Sequence, residues 1–357
     1  MKRVGLLFFI LLLLPLTGCG NLLYLSHLGW HQARITFQSL PIETVLEDEE
    51  VSVEVKGKIR FIQEVKRYGE EKLDLKKTKN YLKYVAVHGP VLYVVTACEK
   101  DRFTLVTWTF PLTGEVDYKS FFTHGKVLKE ERSLEKKGFD TFVQGVAAYS
   151  TLGWLKDPIF SSMLEWEKAT LASVILHEMT HATIYFKGET DFNEQMATFV
   201  GNRGAVDFLL EKYGAGSREV REAIQSQEDD FLFSGWIDQA YRQLSNFYER
   251  AGSKAERLKG REDIFQVLKE NFREIRVRFK TDGYKDFERA EINNAVLMAY
   301  RQYIHQLERF DLLYEYFGKD LRKVVQLFKE IRESKEEPSS FLERWVKERG
   351  IQFNSSK

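Results

Sequence analysis

Two histidines four residues apart, with a glutamate beside the first, are the feature of this chain best suited to chemistry: His177, Glu178 and His181 in the run HEMTH. Residues i and i+4 of an α-helix sit one turn apart on the same face. Both imidazoles can therefore reach one Zn²⁺ ion, and Glu178 can reach a water bound to that ion. Metal binding makes such a water ionise near neutral pH; Glu178 can take its proton and later pass it to a leaving amine. With seven histidines in 357 residues, chance supplies this spacing in about one such chain in a hundred, so the match is informative. The alternative is a solvated histidine pair on a surface helix. Val174, Ile175, Leu176 and Ala182 surround the motif closely, which suits a helix buried on most sides.

An open catalytic zinc site needs a third protein ligand. The metzincin type places a histidine six residues after the second one; Lys187 stands there and excludes that class. A carboxylate from a following helix is the other solution. The run NEQMATFVGNRGAVDFLL has Met196, Phe199, Val200, Val206 and Leu209 at helical spacing, and a turn at KGETDF lets this second helix run back beside the first. Glu194 is the favoured third ligand on that spacing. Glu189 and Asp191 are its rivals; they fall in the turn and read as capping or solvated charges.

These side chains need elements to hold them. Apolar residues at 164, 171, 175, 179, 182 and 186 predict a metal-bearing helix that Gly188 ends. Residues 22–47 show helical spacing, and EEVSVEVKGKIRFIQEVKRYGEEKL reads as a charged helix with Ile59, Ile62, Val65 and Tyr68 on one face. From Tyr81 the chain turns rich in Val, Thr, Tyr, Phe and Trp, broken by Gly and Pro, which is strand and turn chemistry. KVLKEERSLEKKG is a short charged helix, FVQGVAAYSTLGW another strand, and from about Ser161 onward the chain is mostly helical. The expected fold is α+β and mainly helical: one small sheet, about residues 81–154, packed on the histidine helix and the glutamate helix that follows it.

The first residues bear on location. Lys2 and Arg3 precede an apolar run from Val4 to Leu14, too short for a permanent membrane span and shaped like a signal peptide. It ends in LTGC, a likeness to the bacterial lipobox, in which cleavage falls before Cys19 and lipid is attached to it. Residues 1–18 are then the leader, and 19–357, 339 residues (357 − 18), form a single domain, as one body or two lobes. Gly20, in place of an aspartate, resembles outer-membrane sorting in a Gram-negative host. That implies a lipid-anchored protein of the bacterial envelope, facing the periplasm. The 53 basic and 53 acidic residues become 51 and 53 once Lys2 and Arg3 leave. A balance of −2 gives no reason to expect nucleic acid as partner. Cys98 is then the one remaining thiol; it lies in an apolar run and reads as a small buried hydrophobe.

Longer stretches resemble a bacterial family called putative or predicted aminopeptidases, lipoproteins that carry H-E-x-x-H. They are WHQA (30–33), TWTFPLTGEVDYKSFF (107–122), GFDTFVQGVAAYSTLGWLKDPIFSSML (138–164), HEMTHATIYFKGETDFNEQMATFVGNRGA (177–205) and NNAVLMAYRQY (293–303). The resemblance implies a zinc peptidase acting on peptides, more firmly than it implies an aminopeptidase. Asn193–Glu194 followed by Ala197 is similar to the glutamate helix of gluzincins, which implies a zincin-like site. Where thermolysin-like enzymes have an aspartate four residues after the ligand glutamate, this chain has Thr198. In such peptidases an edge strand pairs with the extended substrate; Ala148, Tyr149, Ser150, Thr151 and Leu152 form the expected strand. Asn293, Leu297 and Tyr300 share a helical face. Asn293 is a candidate substrate contact. Tyr300 is the candidate to stabilise an oxyanion, with Tyr149 and Tyr303 as rivals. Asp157, Glu189 and Asp191 are candidates to grip a free α-amine. The competing function is an envelope scaffold or binding lipoprotein with a structural or non-catalytic zinc, which would have no need of a base at Glu178. The oligomeric state stays open.

Overall fold

The computed structural model describes residues 19–110, 114–149, 151 and 155–351, with side chains from Tyr24 onward. The leader, the side chain of Cys19, Ser150 and Leu152 therefore lie outside the described residues. The chain opens with α1 (Cys19–Gln38), a two-residue strand β1 (Leu40–Pro41), α2 (Ile42–Glu47) and α3 (Val53–Glu71). The Ser52 hydroxyl caps α3 by accepting from the Val55 amide, and Ile59, Ile62 and Val65 are fully buried along one face.

The strand-rich segment makes three small sheets rather than one. β2 (Lys83–Val85) lies between β1 and β8 (Ile159–Phe160). β3 (Leu92–Glu99) lies between β6 (Tyr118–Phe121) and β7 (Phe139–Val146), antiparallel to both, in register from Leu92 opposite Val146 to Glu99 opposite Phe139. β4 (Trp108–Phe110) and β5 (Gly114–Val116) form a separate hairpin. One sequence cause lies among the described residues: Pro90 removes a ladder donor just before β3. The expected strand at 142–154 is shifted: β7 ends at Val146, and the described residues of 147–158 are irregular. Helix α4 (His124–Lys136) packs Val127 and Leu134 against β3 and β7.

The rest is helical: α5 (Lys168–Thr183), α6 (Thr190–Tyr213), α7 (Arg218–Arg250), α8 (Lys254–Arg276), α9 (Asn294–Ile304), α10 (Leu307–Tyr316), α11 (Leu321–Ser334) and α12 (Pro338–Glu348). With 63% helix and small sheets, the fold is α+β. Helix α5 is central, with α3, α6 and α7 packed on it. Leu171, Ala172, Ile175 and Leu176 are wholly enclosed, and full burial of one Ile or Leu contributes about 1.5–3 kcal/mol. This helix is shorter than its apolar spacing predicts. A 3₁₀ turn occupies Ser161–Glu165, and the backbone extends at Ile184, five residues after Met179. Gly188, with φ 85°, serves the turn into α6 rather than the helix end. Helix α9 spans the two halves, touching β3 and β7 on one side and α6 and α7 on the other.

Candidate metal centre

Helix α5 projects His177 and His181 from successive turns toward α6, whose first turns carry Glu194. The two Nε2 atoms lie 3.0 Å apart, and Glu194 Oε2 lies 3.3 Å from His177 Nε2 and 3.4 Å from His181 Nε2. Ligands held about 2.0–2.1 Å from a tetrahedral centre are about 3.3–3.4 Å from one another, so the three atoms have the spacing of three corners of a zinc site. Among the described residues, these three form the one group whose ligand atoms converge in this way. The chemistry of the donor set agrees. Two neutral imidazoles that turn the same nitrogen toward each other can share only one proton between them, whereas a cation satisfies both lone pairs and the carboxylate together. His181 Nδ1 is buried without a partner, a group that metal binding at Nε2 would leave protonated.

The electrostatics follow from enclosure. Burial works against the charge on Glu194, but His181 and His177 reverse this and hold its carboxyl well below the usual range. Burial works against the charge on His181 too, and Glu194 overrides it and raises the imidazole. Burial raises the Glu178 carboxyl, while His177 and His181 pull it down and Glu194 pushes it up, with a net rise.

Two devices fix the distance between α5 and α6. The first is a run of small residues on α6. A Cβ on Gly201 would come within 2.6 Å of the Ser173 carbonyl oxygen and 3.1 Å of His177 Cβ, and one on Gly204 within 2.7 Å of Leu176 Cδ1. The helices come close to backbone contact there, and Ala197 and Ala205 of α6 are also buried. The second is a half-buried chain of hydrogen bonds one turn below the histidines. Ser173 and Asn202 Oδ1 are 2.6 Å apart, Asn202 donates to Asp230 on α7 at 2.8 Å, and Tyr284 donates to the other Asp230 oxygen at 2.6 Å. Gln227 donates to the Asn202 carbonyl at 2.5 Å. The turn between the helices is closed by Asn193, whose amide bonds both Phe186 N and Phe186 O at 2.9 and 2.7 Å. Residue 194 then follows at a fixed point of the helix.

Aromatic and acidic side chains complete the surroundings. The Tyr303 ring lies 6.4 Å from that of His177, nearly parallel to it. The Glu194 charge first, then burial, pushes the Tyr303 hydroxyl far up. Burial and then Glu194 do the same to Tyr118 and raise Tyr185 to about 12. All three phenols therefore stay protonated at neutral pH. Nearby, Gln302 donates to Asp117 and Asp191 at 3.3 Å each; burial, Asp191 and Glu115 push the Asp117 carboxyl up to about 6.

Several expected contacts fall elsewhere. Tyr300 packs its ring against Phe287 and Phe233, at 5.1 and 5.3 Å, and against Phe142. Three residues along a helix turn the direction by about 60°, which places Tyr303 toward the histidines and Tyr300 in the aromatic core. Asn293 caps α9, accepting from Val296 N at 2.9 Å and donating to Thr141 O at 3.0 Å, so its amide is used outside the histidine cluster. Ala148, Tyr149 and Thr151 belong to no strand. Tyr149 donates to Gln32 at 2.6 Å, and Thr151 donates both its hydroxyl and its amide to Asp157. Asp157, also bonded by Asn80, anchors this loop with both oxygens occupied, so it is not an open amine grip. Burial, opposed by the Thr151 bonds, raises it to about 6. Asp191 sits in the first turn of α6 and Glu189 at its N-cap position. Thr198 bonds neither histidine. Tyr118, Tyr185 and Asp117 lie in stretches that carry the family resemblance, but no spacing singles them out; Tyr118, at the start of β6, and Tyr185 are near enough to feel the Glu194 charge.

A family model described as "Putative aminopeptidase" matches residues 23–341. Comparison with curated proteins and with solved structures found no significant match.

Proposed function

The chain belongs to that family, and we propose that it is a zinc-dependent peptidase with a zincin-like site. The proposal stands on the convergence of His177 Nε2, His181 Nε2 and Glu194 Oε2 at 3.0–3.4 Å. These three residues would hold the metal. Zinc bound there supplies Lewis acidity, bringing the ionisation of water to about pH 7 and polarising a carbonyl. Glu178, adjacent to His177, takes the proton from the attacking water and delivers it to the departing amine; its raised carboxyl is suited to both directions of transfer. Tyr303, protonated and stacked beside His177, is placed to donate to the oxyanion that develops on the scissile carbonyl, in the role expected of Tyr300. The peptide-pairing role expected of 148–152 would fall to β6, an edge strand whose Tyr118 feels the Glu194 charge. Aminopeptidase specificity would rest on Asp117 and Asp191, held together by Gln302, as the anionic side that a free α-amine meets.

A closed structural zinc would complete its shell with a fourth protein ligand; the described residues offer three. The test is hydrolysis of unblocked and N-blocked peptides by the purified chain, with and without chelator. Chelator-sensitive cleavage of the unblocked peptide is the expected result. Cleavage of both peptides keeps the metallopeptidase and removes the aminopeptidase. No cleavage of either overturns the reading.

A further inference from the structure

Helix α1 has one face fixed to the protein and one face open. On the fixed side, Tyr24 donates to Ser120 O at 2.9 Å and packs on Phe121, His31 stacks on Phe122 at 5.1 Å, and Gln32 accepts from Tyr149. On the open side, Trp30 is 70% and Phe37 88% exposed. Seven residues apart, they differ by about 20° in direction around the helix, so they form one aromatic stripe. Scattered apolar residues are ordinary on a surface. A Trp and a Phe aligned on a helix that the rest of the protein holds rigidly is a different feature, and it falls partly in WHQA, a stretch the metal site does not use.

The chain before the helix indicates what covers the stripe. In the sequence the apolar run Val4–Leu14 is followed closely by LTGC, whose cysteine is Cys19, and α1 is described from that residue on. If Cys19 is lipidated after the leader is removed, or if the leader is kept as an anchor, the membrane would hold the start of this helix. At 1.5 Å per residue, Trp30 is then about 17 Å and Phe37 about 27 Å from the attachment point along the axis. Charge agrees: the first acidic residue in the chain is Glu43, and exposed Arg34 lies between the two aromatics in sequence. Tryptophan favours the headgroup level of a bilayer, and arginine its anionic lipids.

We propose that α1 lies along the bilayer surface, with Trp30 and Phe37 in the headgroup–acyl boundary and Arg34 at the lipid phosphates. The anchor is then a rigid mount, not a flexible tether: through Tyr24, His31 and Gln32 it fixes how the β6 sheet faces the membrane. This depends on the leader and not on the metal site, so either can fail alone.

The experiment uses the full chain made with its leader, reconstituted into phosphatidylcholine–phosphatidylglycerol vesicles with or without brominated acyl chains. The chain has six tryptophans, so the difference between wild type and Trp30→Phe isolates Trp30. Brominated lipid should quench that difference signal by about half or more, and aqueous acrylamide should reach it poorly. A tryptophan moved one stripe position, Trp30→Phe with Phe37→Trp, should be quenched likewise. A Trp30 signal open to acrylamide and untouched by brominated lipid overturns the proposal. So does a signal shielded from both, with Ser26→Cys cross-linking between copies, which would assign the face to a second chain.

Discussion

Two buried polar clusters in this protein make opposite use of their hydrogen bonds. Around Asp140 every group is answered. Arg261 grips both carboxylate oxygens at 2.6 and 3.0 Å and donates also to the Lys100 carbonyl and to Glu262. Asn294 gives its backbone amide to Asp140 and its side chain to Glu99 O, and accepts from Tyr248. Around Glu194, two imidazole nitrogens face each other at 3.0 Å, one carboxylate oxygen serves both, and His181 Nδ1 has no partner. Buried polar groups in folded proteins are nearly always satisfied. The first cluster ties α8 and α9 to the β3 sheet; the second leaves lone pairs that a bound cation would satisfy. What separates a structural network from a candidate site is this deficit, not burial or charge.

That contrast can be broken by substitution. The largest effect should come from Glu178→Gln, which leaves the three ligands intact: peptide hydrolysis should fall by about 10²–10⁴-fold with zinc content unchanged, and full activity in this variant would remove Glu178 from the mechanism. Next, Arg261→Met leaves Asp140 charged and unpaired in the interior. Urea unfolding should show a loss of about 3–5 kcal/mol, while zinc stoichiometry in the folded fraction stays the same. If zinc were lost there too, the two clusters would not be separable. Smaller again is Asn202→Ala, which cuts the chain from Ser173 to Asp230. Zinc affinity, read by chelator competition, should weaken by about 10–100-fold, more than in a Ser→Ala control at the Ser217 cap.

The smallest effect concerns pH. Burial, opposed by bonds from Tyr284 and Asn202, holds Asp230 at about 6, above an unfolded value of about 3.9. In that window the folded chain binds more protons than the unfolded one, so this group's contribution to stability falls as pH rises from about 4 to about 6. Asp230→Asn should remove roughly 1–2 kcal/mol of that pH dependence, measured as urea midpoints at both ends of the window. An identical slope in both proteins would place the titration elsewhere.

The sequence reveals the parts that local periodicity controls. The spacing of His177 and His181, the barrier that Lys187 raises against a third histidine, and the return helix carrying Glu194 can all be read from a few residues each, and the structure brings those three side chains together. The other parts depend on distant packing. Tyr300 and Tyr303 lie on neighbouring faces of α9, and only the position of Phe233 and Phe287 decides which one turns to the histidines. Asp117 and Tyr118 reach the site because β6 pairs with β3, a register set by residues twenty and more positions away. The three small sheets, expected as one, depend on which distant strands pair, and no single segment carries that choice. The brace through Ser173, Asn202 and Asp230 joins three helices and leaves no pattern in any one of them.

The proposed function requires that His177, His181 and Glu194 hold one zinc ion. Elemental analysis of the purified full chain beside Glu194→Ala tests it most directly. About one zinc per wild-type chain and almost none in the variant is the expected result. A wild type without zinc, or a variant that retains it through Glu189 or Asp191, would contradict it.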